Sequence, residues 1–143
     1  MARYLIPTSK GLFRIDPDKL VFVVADGSYS LFYHIDDLRI RSEIYEASTY
    51  REYDAGAKKV VMQIGQIEEG IRSFEKKDQH FIRIGNSLII NKDYIYALNL
   101  EEMEIELSDN ETFHICRKAP LEALNKIKQL LEQDETMIRK GYK

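Results

Sequence analysis

The chain has 143 residues, 44% of them hydrophobic and 31% charged, with a formal net charge of −3 at pH 7. That balance fits one globular domain with a real core, and excludes a disordered chain or two ordinary domains. The single cysteine, Cys116, excludes an internal disulfide framework, and no apolar run reaches the length of a membrane span.

Residues 1–11 hold Pro7 and Gly11 with mixed polarity and read as an N-terminal arm with a short strand at Tyr4–Ile6. They lack the apolar core and cleavage site of a secretory leader, so a reducing, cytoplasmic setting is expected. Leu12–Ile15 reads as a brief strand and Asp16-Pro17-Asp18 as a turn. Leu20–Ala25, LVFVVA, is a continuous β-branched apolar run, the pattern of a strand buried on both faces. Asp26-Gly27-Ser28 is a turn signal, and SYSLFYHI resumes as a strand. Residues 36–57 are charged and tyrosine-rich with no clean period. They read as a continued long strand, a loop insertion and a return strand. Lys58–Ile64 reads as a strand that runs into a helix over Gln63–Lys76, where Ile64, Ile67, Ile71 and Phe74 form a core-facing stripe.

From Phe81 onward, short apolar runs alternate with polar breaks. Phe81–Ile84, Ser87–Ile90 and Tyr94–Leu98 read as strands, separated by Gly85-Asn86 and by Asn91-Lys92-Asp93. Met103, Ile105 and Leu107 alternate with Glu102, Glu104 and Glu106, which gives one buried and one wet face. Ser108–Glu111 is the hairpin tip, and Thr112–Cys116 returns with Phe113 and Ile115 inward. Pro120 opens a last helix whose stripe is Leu121, Leu124, Ile127 and Leu131. The fold class is therefore mainly β (α+β): a domain over residues 12–132 with one internal and one C-terminal helix. Residues 133–143 form a polar tail.

Enzyme chemistry finds no support in these residues. His34, His80 and His114 are not paired at metal-ligand spacing, and no Cys-x-x-Cys or His-Glu-x-x-His occurs. Cys116 beside Arg117 and Lys118 reads as structural rather than nucleophilic. No nucleophile elbow and no phosphate-cradling glycine loop are present. The glutamates at 102, 104 and 106 are the ordinary solvated side of an amphipathic strand. No enzyme activity, metal or cofactor is expected.

The breaks between strands carry chemistry suited to nucleic acid. Asn can pair twice with adenine, and Arg twice with guanine. Asn86 and Asn91 sit at breaks, Arg117-Lys118 lies where the last strand meets the last helix, and Arg83 and Lys92 add positive charge. Asparagine at a break is more often there for backbone geometry alone. The acidic total also counts against phosphate binding, unless a basic surface is gathered locally.

The stretch FIRIGNSLIINKDYI…MEIELSDNETFHICRK resembles the core of a LytTR-type DNA-binding domain. The matching positions are Phe81, Arg83, Asn86, Ser87, Leu88 to Ile90, Asn91, Ile95, Leu107, Asp109 and Arg117. Upstream, LVFVVADGSYS resembles the family's opening strand and loop, and QIGQIEEGIRSF its helix. The resemblance spans residues 12–131. It departs from the family pattern at Gly85, where the family often has histidine. It departs also at Ala25, where it has glutamate, at the Ile-Cys-Arg close, and at residues 36–57, an insertion relative to the family's short hairpin.

The resemblance implies elongated multi-stranded sheets whose loops enter the major grooves of double-stranded DNA, in a bacterial, response-regulator-like transcriptional regulator. Carried over position by position, Asn86, Arg117, Ser28 and Tyr29 would contact bases. Arg83, Ser87, Lys92 and Lys118 would contact phosphates. Paired sites imply a homodimer, and input would come from an upstream sensor or regulator protein, with no membrane partner. The competing expectation is a protein-interaction module of the same fold that has lost DNA affinity.

Overall fold

A computed structural model describes residues 4–8, 11–42, 58–75, 79–111 and 113–135. Among these, ten strands and three α-helices form three antiparallel sheets. No described helix is long and apolar enough to cross a membrane.

The first sheet is a hairpin of β1 (Tyr4–Thr8) and β2 (Gly11–Ile15). The segment expected as an arm thus supplies a paired strand, and Ile6 packs against the core beneath it. The central sheet is built on β3 (Leu20–Asp26), in which Leu20 to Val24 are all buried. That explains the unbroken apolar run: both faces of this strand are covered. Its neighbours are β4 (Tyr29–His34) on one side and β7 (Leu88–Asn91) on the other. The edges are β5 (Lys58–Val60) and β6 (Phe81–Ile84), giving the order β5-β4-β3-β7-β6. The third sheet contains β8 (Ile95–Asn99), β9 (Glu104–Ser108) and β10 (His114–Lys118), with β9 in the middle.

The central sheet separates two cores. On one face Val23, Phe32 and Ile89 meet the hairpin and the stripe Ile64, Ile67 and Ile71 of α2 (Ile64–Phe74). On the other, Phe22, Val24, Tyr33 and Ile90 meet Ile105, Leu107 and Ile115 of the third sheet. Leu124 and Ile127 of α3 (Leu121–Asp134) complete that core. Phe22 and Tyr33 stack at its centre, 4.7 Å apart and 9° from parallel.

Several sequence expectations need correction. Residues after His34 do not continue as a strand: Ile35–Ser42 is α1. Asp36 and Asp37 favour its N-terminus, the Asp37 carboxylate accepts the His34 amide at 3.2 Å, and Ile35 and Leu38 reach the core. The rest of the proposed insertion, 43–57, lies outside the described residues. Strand β5 stops at Val60 rather than Ile64, because Gln63 starts α2, its amide donating to Gln66 Oε1 at 3.2 Å. Met103 does not face inward; it sits exposed in the β8–β9 turn at φ +56°. Leu121 is 46% exposed, so the α3 stripe begins at Leu124. Helix α3 runs from Leu121 through Asp134.

Candidate nucleic-acid interface

Two tight turns meet at one end of the central sheet. Gly27-Ser28 joins β3 to β4, with Gly27 at φ +66° and Asp26 opposite Tyr29. Gly85-Asn86-Ser87 joins β6 to β7, with Gly85 at φ +59°. Strands β3 and β7 are antiparallel neighbours with Val24 opposite Leu88, so the end of one lies beside the start of the other. The Ala25 amide donates to the Ser87 carbonyl at 2.8 Å and fastens the two turns together. Residues separated by nearly sixty positions in sequence therefore share one edge.

Ser28, Tyr29, Asn86 and Ser87 are all exposed there. The Asn86 side chain makes no hydrogen bond to the described residues, which leaves its full donor and acceptor capacity outward. The Lys59 ammonium lies over the Tyr29 ring, 5.1 Å from its centroid, and brings positive charge to the same edge. Sequence reasoning missed Lys59. Its only signal is the Leu31–Lys59 pairing of β4 with β5, which requires the sheet register to be known.

The proposed phosphate ligands are placed differently. Arg83 is a bracket: its Nε donates to the Gly85 carbonyl at 2.8 Å, and its Nη1 reaches Glu68 Oε1 at 2.7 Å. It ties the Gly85 turn to α2. Glu68 also receives Arg72 at 2.9 Å. Burial pushes the Glu68 carboxyl up, but hydrogen bonds and charge from Arg72 and Arg83 outweigh it and hold the group below its ordinary value. Lys92 lies at the far end of β7 from Asn86, in a short 3-10 turn, and is ion-paired to Asp134 of α3. Lys118 is exposed, 3.1 Å from Glu104 and donating to the Glu102 carbonyl at 3.1 Å.

Asn91, which the sequence offered as a second base-reading asparagine, is 1% exposed. Its Nδ2 donates to the carbonyls of Leu20 at 2.8 Å and Pro17 at 3.2 Å, and its Oδ1 accepts the Asp93 amide at 2.9 Å. It locks β7 to the turn before β3 and has no part in a surface. Arg117 belongs to the third sheet. It lies opposite Ile105 and shares the inner face with Ile115, half-buried at the strand end. The two turns thus come together on the central sheet, while Arg117 and Lys118 are carried by another.

The sequence profile of the LytTr DNA-binding domain matches residues 57–135, more than half of the chain. The chain belongs to the LytTR family. The matched segment runs from the approach to β5 through α3, so it contains the Gly85-Asn86-Ser87 turn and Arg117 but not the Gly27-Ser28 turn. The whole fold is similar to a solved LytTr DNA-binding domain from Bacillus cereus. The TM-score is 0.54 at 16% identity, covering 92% of this chain and 97% of that one. At that identity the likeness concerns the fold, and it extends to the N-terminal strands that the profile leaves out. No curated protein matches the chain.

Proposed function

We propose that this LytTR protein binds double-stranded DNA sequence-specifically and regulates transcription. The observation that carries the reading is the pair of turns fastened at one edge of the central sheet, in a chain of a DNA-binding family. In this reading Asn86 makes the principal base contact from that edge, with Ser28 and Tyr29 beside it and Ser87 and Lys59 toward phosphate. Arg117 provides a second base contact from the third sheet. Arg83 acts one step back, holding the Gly85 turn in shape. Lys92, paired on the far side, contributes stability rather than phosphate contact. Two copies on paired sites would present two such edges, and an upstream regulator would supply the signal.

A second reading has a specific observation in its favour. Three of the cations assigned to phosphate, Arg83, Lys92 and Lys118, are ion-paired to carboxylates within the protein itself, and the chain is net acidic. A protein-interaction module that has lost DNA affinity would look like this. Selection from a random duplex library at several salt concentrations separates the two. DNA binding gives an enriched motif whose affinity falls as salt rises. Asn86→Ala and Arg117→Ala should each relax one position of the motif and cost about 1–3 kcal/mol. An enriched site bound equally well by both variants would remove these two residues from the interface. No enrichment at any salt would favour the interaction module.

A further inference from the structure

The outer face of the third sheet carries a side-chain cluster that plays no part in the DNA reading. Ile105, Leu107 and Ile115 point into the core, so the intervening residues of β9 and β10 point out. Cys116 lies directly opposite Glu106 in the register, and His114 is two residues before Cys116 on the same face. The donor atoms of Glu106, His114 and Cys116 all lie within 4.8 Å of one another. His114 Nε2 is 2.9 Å from Glu106 Oε1, and the edge of the Tyr96–His114 ring pair, 6.0 Å between centroids, steadies the imidazole. Spacing in sequence could not show this, because one of the three donors arrives from the neighbouring strand.

We propose that Glu106, His114 and Cys116 form a binding site for a divalent transition metal of the Zn2+ and Co2+ class, with the remaining coordination position open to solvent. Zinc bonds of roughly 2.0–2.3 Å place tetrahedral donors about 3.5 Å apart. The His114–Glu106 contact must open slightly and the thiol must close slightly, both by side-chain rotation on a rigid two-strand platform. A thiolate with an imidazole selects transition metals over Mg2+ and Ca2+, which prefer all-oxygen sites. Glu104, next along the same face, adds negative charge and is itself occupied by Lys118 at 3.1 Å. On binding, the Cys116 proton passes to solvent and the thiolate sulfur becomes a ligand.

The site is tested by titrating the full chain with Co2+ under a non-thiol reductant. The expected result is thiolate-to-cobalt charge-transfer absorption that saturates at one equivalent, is displaced by Zn2+ and is unaffected by Mg2+. Cys116→Ser should abolish the band. His114→Ala and Glu106→Gln should each weaken binding by more than the roughly 10–100-fold that losing an outer hydrogen-bond partner costs. Both alter outward-facing side chains, so the fold should be kept, as circular dichroism would verify. Zn2+ should raise the melting temperature of the natural protein and leave that of His114→Ala unchanged. Absence of the band overturns the proposal. So does a band whose affinity is the same in His114→Ala and Glu106→Gln, since that would be a thiol acting alone.

Discussion

Strand β7 has an asparagine at each end, and the two have opposite fates. Asn86, just before it, is exposed and its amide is unengaged. Asn91, its last residue, is buried, and both amide atoms are used. Both occupy polar breaks between apolar runs, and both lie within the segment that the LytTR profile matches. The difference comes from what lies across the sheet. At the Asn91 end, the Pro17 carbonyl of the turn after β2 and the Leu20 carbonyl at the start of β3 both take a donor from Asn91. At the Asn86 end, the chain reverses into solvent beside a second reversing turn. A break is a surface only where nothing folds over it.

The contrast is broken most severely by Asn91→Ala. The Leu20 and Pro17 carbonyls would lose the side-chain donor of buried Asn91, and the Asp93 amide would lose its acceptor. A loss of about 2–3 kcal/mol in chemical denaturation is expected. A change below about 0.5 kcal/mol would mean that the buried network is replaceable. Asn86→Ala should behave in the reverse way: stability within about 0.5 kcal/mol of the natural protein, and a loss of about 1–3 kcal/mol in binding to a selected duplex. Denaturation and titration of the same two variants test the comparison in one experiment.

Gly85 sharpens it from the backbone side. At φ +59° an ordinary side chain is strained, yet a Cβ there would meet nothing within 4 Å. Gly85→Ala should therefore cost about 1 kcal/mol by conformation alone. Gly85→Asn should cost less, because asparagine tolerates this region. Equal losses in both would point to a clash rather than to backbone preference.

Much of the architecture was legible because it depends on local pattern. The buried run of β3, the helical stripe of α2 and the alternation of β9 all follow from periods of two and 3.6 residues. The glycine turns were legible as well, since Gly27 and Gly85 both adopt positive φ. Helix α1 was not. Among its described side chains Ile35 and Leu38 reach the core, and two apolar contacts are too few for a period to show against the charged residues around them. From the residues themselves, apart from the family resemblance, the candidate site was legible only as isolated breaks. That Ser28 and Asn86 share an edge depends on β3 pairing with β7, a contact across more than sixty residues. That Arg83 is a bracket and Asn91 a lock depends on partners in α2 and in the turn before β3. The composition of each break was visible, but its neighbours were not.

The smallest expected effect concerns how the exposed end is held. Arg83 joins the Gly85 carbonyl to Glu68, and Glu68 is shared with Arg72 on α2. The Glu68 carboxyl is held below its ordinary value of 4.5, so its contribution is fully present above that pH and is lost as pH falls through the folded value. Glu68 is partly exposed and its partners are screened, so the contribution is set at about 0.5 kcal/mol. Glu68→Gln should therefore be slightly less stable at pH 7 and should converge on the natural protein as both are acidified below pH 4.5. A difference that stays constant through the acid range would assign the effect to packing rather than charge. If the bracket shapes the turn, the same variant should also weaken DNA binding at pH 7, through Asn86 rather than through any contact of its own. A double variant with Asn86→Ala distinguishes these routes. Losses that fail to add place Glu68 and Arg83 behind Asn86, and additive losses make them independent contributors.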